Sequence, residues 1–255
     1  MTRRGQRKRR KANQIRQLPW REISNPYAPI EILSDDQVET IIDTALHVLA
    51  TQGMRFLEPT SRDMLAKAGA NVDSDTQMVR FEPDLVRETV ARAPHEFELR
   101  ARNPAHDLKL GSNRTVFTSV GGPAFVSDLD NGRRPGSYED MCNYFRVVQS
   151  LNIIHQEGGG AFEAMDLPAE TRHLDLYLAQ HRLLDKNAQA YALGRERTID
   201  AIEMACIALG TTRESLAERP ALLAIINTNS PMQLDTPMTE AILELATAGQ
   251  VCCIT

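Results

Sequence analysis

Polar side chains follow several apolar segments of the sequence, where those segments would end as β-strands. Because substrate sites of parallel α/β folds gather at the carboxyl ends of the strands, these side chains are candidates for binding a substrate. The competing interpretation is that any strand ends in polar loop residues. The candidates are His155, Gln156, Glu157, Tyr191, Asn227 and Asn229.

Other kinds of site leave no signature. Residues 158–160 are three glycines after a strand-like segment, but they lack the G-x-G-x-x-G order and the Lys-Ser/Thr ending of phosphate loops. There is no H-E-x-x-H, no paired His/Cys spacing and no G-x-S-x-G elbow, so we expect no metal site and no serine nucleophile of that type.

Composition indicates a globular protein. The chain has 255 residues, of which 42% are hydrophobic and 25% charged, enough for one sizeable core or two small ones. No apolar run approaches a membrane span and no secretory signal is visible, so we expect no membrane association. Four cysteines without C-x-x-C spacing fit a reduced, cytoplasmic setting.

Positive charge is concentrated at the start of the chain. Residues 1–21 hold nine basic side chains and no acid. We therefore expect residues 1–24 to form a disordered basic tail. A nucleic-acid-binding arm is the alternative, but the body has neither a zinc-finger spacing nor an aromatic RNA-binding motif, so we do not expect nucleic acid as a partner.

Residues 25–111 have the pattern of a helical and β extension. Ser34 with Gln37 predicts a capped helix that stops at Gly53. Further helices are predicted at about 61–68 and 83–93, with a short strand at 78–81 between them. Alternating residues from 96 to 126 suggest more strands.

Residues 112–255 alternate between strand-like and helical segments. The strands are predicted at 124–126, 152–155, 189–193, 222–227 and 251–255, with starts 28, 37, 33 and 29 residues apart. One helical stretch lies in each gap, so the pattern predicts a parallel α/β body. The last strand ends the given sequence with no helix after it, which suits an open sheet better than a closed barrel.

Several of these helices have start signals. Ser137 is expected to cap the helix that follows it, and Thr211 with Glu214 forms a potential capping box. Thr236 before Pro237 is expected to open the helix that ends near residue 249.

Three segments resemble the trimethylamine methyltransferase family. They are AGANVDSDTQMVRFEPDLVRETVARAPHEFELRARNP at 68–104, SVGGPAFVSDLDNGRRPGSYEDMCNYFRVVQSLNIIH at 119–155 and NTNSPMQLDTPMTEAILELATAGQ at 227–250. The resemblance implies a TIM (β/α)8-type barrel after an N-terminal helical and β extension. It also implies transfer of a methyl group from trimethylamine, or from a quaternary amine such as glycine betaine, to a corrinoid (cobalamin) on a separate partner protein. No directly bound cofactor is implied.

The chain departs from this family in length, since members are about twice as long. A (β/α)8 barrel needs about 31 residues per unit, so residues 124–255 hold about four units. We therefore expect about the first half of a barrel, with exposed apolar surface that favours a homo-oligomer. The alternative function is a truncated, catalytically inactive half-barrel that serves as an assembly subunit with a partner chain.

The implied substrates suggest roles for the candidate residues. A quaternary ammonium cannot donate hydrogen bonds, so aromatic faces or carboxylates must hold it. Tyr191 and Phe162 are candidate faces and Glu157 a candidate counter-charge, while the side chains at 155, 156 and 229 are candidates for binding a substrate carboxylate. A tertiary amine must instead be protonated or activated, and the sequence leaves the choice of amine open.

Overall fold

The computed structural model describes residues 15–122 and 125–255 of a mixed α/β protein. The described helices are α1 Asp35–Thr51, α2 Pro59–Lys67, α3 Pro83–Val90, α4 Tyr138–Ser150, α5 Arg172–Leu183, α6 Arg195–Leu209, α7 Arg213–Glu218 and α8 Thr236–Thr247. The described strands are β1 Ile23–Ser24, β2 Met54–Phe56, β3 Asn71–Asp73, β4 Met78–Arg80, β5 Glu96–Leu99, β6 Leu108–Gly111, β7 Arg114–Thr115, β8 Val126–Asp128, β9 Gly132–Arg134, β10 Gln156–Glu157, β11 Asn187–Gln189, β12 Leu222–Ile226, β13 Gln233–Leu234 and β14 Val251–Ile254. In these two ranges no helix has the length and apolar character needed to cross a bilayer.

Four parallel strands form the central sheet, in the order β10-β11-β12-β14. Their spatial order follows the chain, with helices between consecutive strands. Thr118 adds an isolated parallel bridge to Gln156 at one edge. The predicted parallel α/β body is therefore confirmed. Within the described residues this sheet is open and no closed barrel forms, so the half-barrel architecture stays a prediction.

The two faces of the sheet have different neighbours because side chains alternate along each strand. Leu222, Ala224 and Ile226 are buried in a cluster with residues of α6 and α8. Leu223, on the opposite face, packs with Leu99 of the β5–β6 hairpin. Helices thus cover one face, and the hairpin covers the other face near the amino ends of the strands.

The first predicted strand of the body, 124–126, is wrong. The part of it that the structure describes enters β8, which pairs antiparallel with β9 and not with the central sheet. Asp128 accepts hydrogen bonds from the backbone N–H groups of Asp130 and Asn131, and Gly132 has a φ of 65°. These local bonds favour a tight hairpin, so the chain reaches the edge of the sheet earlier, at Thr118.

Helix starts were predictable where a side chain caps the first turn. Ser34 and Gln37 form the expected capping box before α1, and Ser137 caps α4. At two other helices the capping residue lies one position away from the predicted one. Thr212, not Thr211, caps α7 by accepting from the N–H of Ser215 at 3.3 Å.

The cap of α8 is the second difference, although α8 begins at Thr236 as predicted. Asp235, not Thr236, is the capping residue, and its Oδ1 accepts from the N–H of Met238 at 2.9 Å. A capping oxygen must reach a backbone N–H two or three residues on, and in both helices the residue placed to do so lies one position away from the predicted one.

The extension is tied to the body by a shared sheet. Its strands form the order β13-β2-β4-β3, and β13, from the C-terminal part of the chain, pairs in parallel with β2. The predicted strand at 78–81 is present as β4. The proposed boundary near residue 111 is therefore crossed by backbone hydrogen bonds.

The predicted basic tail lies mostly outside the described residues, which begin at residue 15. Residues 15–24 belong to the described part of the chain, and several of them contact the body, contrary to the disorder expected for them. The Gln17 side chain donates to the carbonyl of Ser150 at 2.7 Å and accepts from the N–H of Asn152 at 2.8 Å. Strand β1 pairs with β7, so this segment is held against the body.

Hydrogen bonds of Lys186 connect the end of α4 to the start of β11. Its side chain is buried, and Nζ donates to the carbonyls of Val148, Leu151 and Ile154 at 2.8, 2.7 and 2.8 Å. An ammonium has three donors, so all of them are used here. The turn that leads into β10 thus depends on one buried side chain.

Replacing Lys186 by Met keeps the length of the side chain but removes its three hydrogen bonds; the carbonyls of Val148 and Leu151 then keep one backbone donor each, at 3.4 and 3.1 Å. We expect the free energy of unfolding to fall by about 2–4 kcal/mol, measured by urea denaturation. The control is Lys109→Met, at an exposed lysine with one ion pair of 3.4 Å to Glu98, which should change stability by less than about 1 kcal/mol. Equal losses in both variants would contradict this role of Lys186.

Candidate functional site

An open cleft of about 540 Å³ lies at the carboxyl ends of the central strands. This is the edge at which parallel α/β proteins bind substrates. The residues that line it are Thr118, Ser119, Gly121, Gly122, Gly158, Gly159, Glu163, Gln189, Ala190, Tyr191, Ala192, Leu193, Ile225, Asn227 and Met238. None of these described lining residues is a lysine, arginine or histidine, so the wall offers neutral and acidic groups.

Closely packed glycines form one side of the cleft. A Cβ on Gly158 would lie 2.0 Å from the carbonyl oxygen of Ser119, and a Cβ on Gly121 would lie 2.1 Å from the carbonyl oxygen of Gly158. Two turns can approach this closely only without side chains. Gly159 has a φ of 86°, which also favours glycine. This side of the cleft is therefore built mainly of backbone. Unlike a phosphate loop, the glycine turn does not lead directly into a helix.

Tyr191 is half-buried and lines the cleft. Its backbone N–H donates to the hydroxyl of Tyr177 at 3.0 Å, and the two rings meet edge-on with centroids 5.8 Å apart. A Cβ on Gly160 would lie 2.5 Å from the Tyr191 hydroxyl oxygen, so the glycine makes room for the phenol. Burial raises the pKa of Tyr191, which keeps the ring a neutral phenol at neutral pH.

Gln189 is a cleft residue that the sequence analysis used only as a strand start. It is 6% exposed, and its side-chain amide has no hydrogen-bond partner among the described residues. Because Gln189 lines the open cleft, its amide can bond to a ligand or to water there. The sequence does contain a signal for Gln189: it lies two residues before Tyr191 in the predicted strand, which places both side chains on the same face.

Glu163 is the acidic residue that lines the cleft, and sequence reasoning missed it. Its Oε2 lies 3.2 Å from Nη1 of Arg172, whose side chain is only 14% exposed. Arg172 neutralises part of the charge of Glu163. No strand or cap signal pointed to this loop position.

Glu157 lies behind the glycine wall and does not line the cleft. The side chain is completely buried. Its Oε2 accepts from the N–H of Gly159 at 3.0 Å and from Nε2 of Gln180 at 2.8 Å, and its Oε1 accepts from the N–H of Gly160 at 2.7 Å and the hydroxyl of Tyr144 at 3.1 Å. Burial raises the pKa of Glu157, and these donors act in the opposite direction.

The other two side chains of this predicted group also point away from the cleft. Nδ1 of His155 accepts from the N–H of Phe117 at 3.0 Å, and its Nε2 lies 3.0 Å from the carbonyl oxygen of Arg21. Gln156 donates to Oδ1 of Asn187 at 2.6 Å. Both side chains hold neighbouring segments together.

The remaining candidates divide in the same way. Asn227 lines the cleft, and its Oδ1 accepts from the hydroxyl of Thr255 at 2.8 Å. Asn229 is used within its own loop, where it donates to and accepts from Asp235. Phe162 is buried in the hydrophobic cluster around α4 and is not among the cleft residues. The cleft thus combines Tyr191 and Asn227 of the predicted set with four unpredicted polar residues, Thr118, Ser119, Glu163 and Gln189.

The chemistry of this wall suits a small cation better than an anion. It presents an aromatic ring, a carboxylate and two amides, and it carries no positive side chain among the residues described. Within residues 15–122 and 125–255, no group of three His, Cys, Asp or Glu side chains is arranged to hold a metal ion. The cleft thus offers groups that can bind and orient a small cation.

Comparison with known proteins identifies similar sequences. The sequence pattern of the family described as trimethylamine methyltransferase (MTTB) matches residues 1–255. The chain is 30% identical over 219 residues to a glycine betaine methyltransferase of Desulfitobacterium hafniense, which covers 86% of this chain and 45% of the relative. It is 24% identical over 223 residues to a trimethylamine methyltransferase, MttB, from another strain of that species, which covers 85% of this chain and 43% of the relative. The chain thus spans less than half the length of these curated relatives.

The buried carboxyl of Glu157 predicts a pH-dependent stability. Its pKa is raised in the folded chain, so between the ordinary glutamate value and the raised value the folded state holds a proton that the unfolded state has lost. The free energy of unfolding should therefore fall as pH rises through this range, by up to about 1.4 kcal/mol per pH unit.

Urea denaturation at a series of pH values measures this slope. Glu157→Gln cannot titrate, so it should lose this part of the slope, whereas the exposed control Glu214→Gln should keep it. A Glu157→Gln chain with the same pH dependence as the wild type would contradict the prediction.

Proposed function

Because the chain belongs to the trimethylamine methyltransferase family, we propose that it acts in methyl transfer from a methylated amine and that the cleft holds this amine. The family match over residues 1–255 is the observation that supports this proposal. The names of the two relatives support trimethylamine and glycine betaine as the substrates to test.

A methylated ammonium ion needs a particular kind of binding surface. A quaternary nitrogen has no N–H, so it is attracted by aromatic faces and by negative oxygen atoms. Tyr191 and Glu163 supply an aromatic ring and a carboxylate in the cleft. We assign these two residues to the cationic end of the substrate, in place of the Phe162 and Glu157 that the sequence suggested.

A substrate such as glycine betaine also has an anionic end. Gln189 and Asn227 line the same cleft and carry amide N–H groups, which can donate to a carboxylate. These residues take the role that the sequence analysis gave to His155, Gln156 and Asn229, whose side chains are used in structural hydrogen bonds.

The methyl acceptor in this proposal is a corrinoid on a separate protein. When bound nearby, the corrinoid supplies the nucleophile that takes the methyl group. The leaving amine is neutral for a quaternary substrate, so the chain needs to supply no general base. Its part is to hold the ammonium with one methyl group directed to the cleft opening, because displacement at carbon requires in-line approach. We assign none of this chain's residues to holding the corrinoid.

Methyl transfer to reduced cobalamin tests the proposal. The chain would be assayed alone and fused to the remaining part of the glycine betaine methyltransferase that it resembles, with glycine betaine and trimethylamine as donors. We expect methylcobalamin to form from at least one of the two amines. No transfer from either amine in either form would contradict the function.

Removing the Tyr191 ring should weaken binding of the amine. A cation–π contact is worth about 0.5–2 kcal/mol, so Tyr191→Ala should lower the affinity for glycine betaine about 2–30-fold, measured by calorimetry. Tyr191→Phe keeps the ring and should lose less. Tyr27→Ala removes a tyrosine that is 78% exposed and outside the cleft, and should leave the affinity unchanged. Equal affinities for wild type and Tyr191→Ala would remove Tyr191 from the site.

A further inference from the structure

Two carboxylates adjoin the cleft, and they differ in how their charge is compensated. Glu163 is within 3.2 Å of Arg172. Glu157 has no basic side chain within ion-pair distance among the described residues, although it is completely buried. Burial disfavours the charged form of Glu157 and its four hydrogen-bond donors favour it, so a positive charge in the cleft would shift this balance toward the carboxylate.

The hydrogen bonds of Glu157 allow both protonation states. Its Oε2 faces only N–H donors, but its Oε1 faces the hydroxyl of Tyr144 at 3.1 Å, which can donate or accept. The same hydroxyl lies 2.5 Å from Oγ of Ser119 and 3.2 Å from the carbonyl oxygen of Val120. When Glu157 carries a proton, it can donate to Tyr144 while Tyr144 donates to Ser119, and no heavy atom has to move.

Only one layer of backbone separates Glu157 from the cleft. The next two residues, Gly158 and Gly159, line the cleft wall, and the N–H of Gly159 donates to the carboxyl. A ligand in the cleft therefore lies near this carboxyl without touching it.

We propose that Glu157 makes the cleft selective for cations at a distance: a cation in the cleft favours the carboxylate form, and a proton on Glu157 weakens cation binding. This inference rests on the proposed function, since it takes the cleft as the amine site. Glu157 is a positioning and charge-setting residue here and not a catalytic one.

The direction of the pH effect follows from this coupling. As pH rises and Glu157 loses its proton, a cationic ligand should bind more tightly, while a neutral ligand of the same shape should not respond. Attraction across one backbone layer corresponds to about 10–50-fold in affinity. Burial raises the pKa of Glu157 above that of an exposed glutamate, so the change in affinity should lie above the pH range in which exposed glutamates titrate.

The groups around Glu157 do not compete for this effect. Tyr144 on α4 and Tyr191 after β11 have pKa values raised by burial, so both remain neutral. Gln180 on α5 and Ser119 do not titrate. Glu163, in the loop beyond the glycines, is held by Arg172.

Choline and dimethylbutanol form the test pair, because dimethylbutanol has a carbon atom in place of the quaternary nitrogen. Their affinities for the 255-residue chain would be measured by calorimetry from about pH 5 to about pH 9. We expect choline affinity to rise about 10–50-fold and dimethylbutanol affinity to stay constant.

Three variants give this test its controls. Glu157→Gln should abolish the rise for choline and leave dimethylbutanol unaffected. Tyr144→Phe removes one donor to the carboxylate but keeps the glycine N–H groups, so it should move the rise to higher pH, and it serves if Glu157→Gln fails to fold. Glu163→Gln removes a contact in the cleft and should weaken choline at every pH while the rise remains.

Each outcome decides the inference. A choline affinity that is independent of pH, an equal rise for both ligands, or a rise that survives in Glu157→Gln would overturn it and leave the cleft as a ligand site. If neither ligand binds, the cleft is not an amine site and the inference fails with it. Methyl transfer is scored separately, so the activity of the chain can fail while this coupling holds.

Discussion

The geometry of the candidate site depends on the hydrogen bonds of the Glu157 carboxyl. Its four hydrogen-bond donors come from α4, α5 and two successive glycines of the cleft wall. One side chain therefore fixes the glycine turn relative to two helices that are distant in sequence. A buried group with this many donors cannot be replaced by an apolar one without leaving several N–H groups unsatisfied, and each of those is costly. The open wall of the cleft is thus held from behind by polar contacts.

Side-chain alternation along the strands determines which polar residues reach the cleft. Gln189 and Leu223 are register partners in β11 and β12, so they share one face of the sheet, and Gln189 and Tyr191 line the cleft. Glu157 and Ala188 are partners on the opposite face, among the helices. The candidate site residues were predicted from their closeness to a strand end. Closeness predicted the correct edge of the sheet, but it could not separate the two faces, since β10 has only two residues and shows no period.

The sequence contained more information about helices than about strands, for a physical reason. A capping side chain such as Ser34 or Ser137 bonds to a backbone group three residues away, so its effect is local and readable. The strands of the body depend on partners about 30 residues away; the bounds of β10 and β11 differ by two to four residues from the predicted ones, whereas β12 and β14 match within one residue. β10 is present at 156–157, where the prediction ended at 155. Glu163 and Arg172 meet through loop packing alone, and no sequence period announces such a pair.

The charge of the ligand changes during the proposed reaction, so the two carboxyls near the cleft contribute differently. The substrate carries a cationic nitrogen, and the demethylated product of a quaternary amine leaves as a neutral amine. A carboxylate in direct contact stabilises the cation more than the transition state, which has lost part of its charge, and the ion pair with Arg172 reduces this effect at Glu163. A carboxyl one backbone layer away still favours entry of the cation over neutral molecules, but with a weaker dependence on the exact charge at the nitrogen. When the positive charge has left, the carboxylate of Glu157 keeps its four hydrogen-bond donors, which stabilise the buried charge. The loss of the methyl group then removes the attraction that held the substrate, and the same chemistry that completes the transfer favours release of the amine.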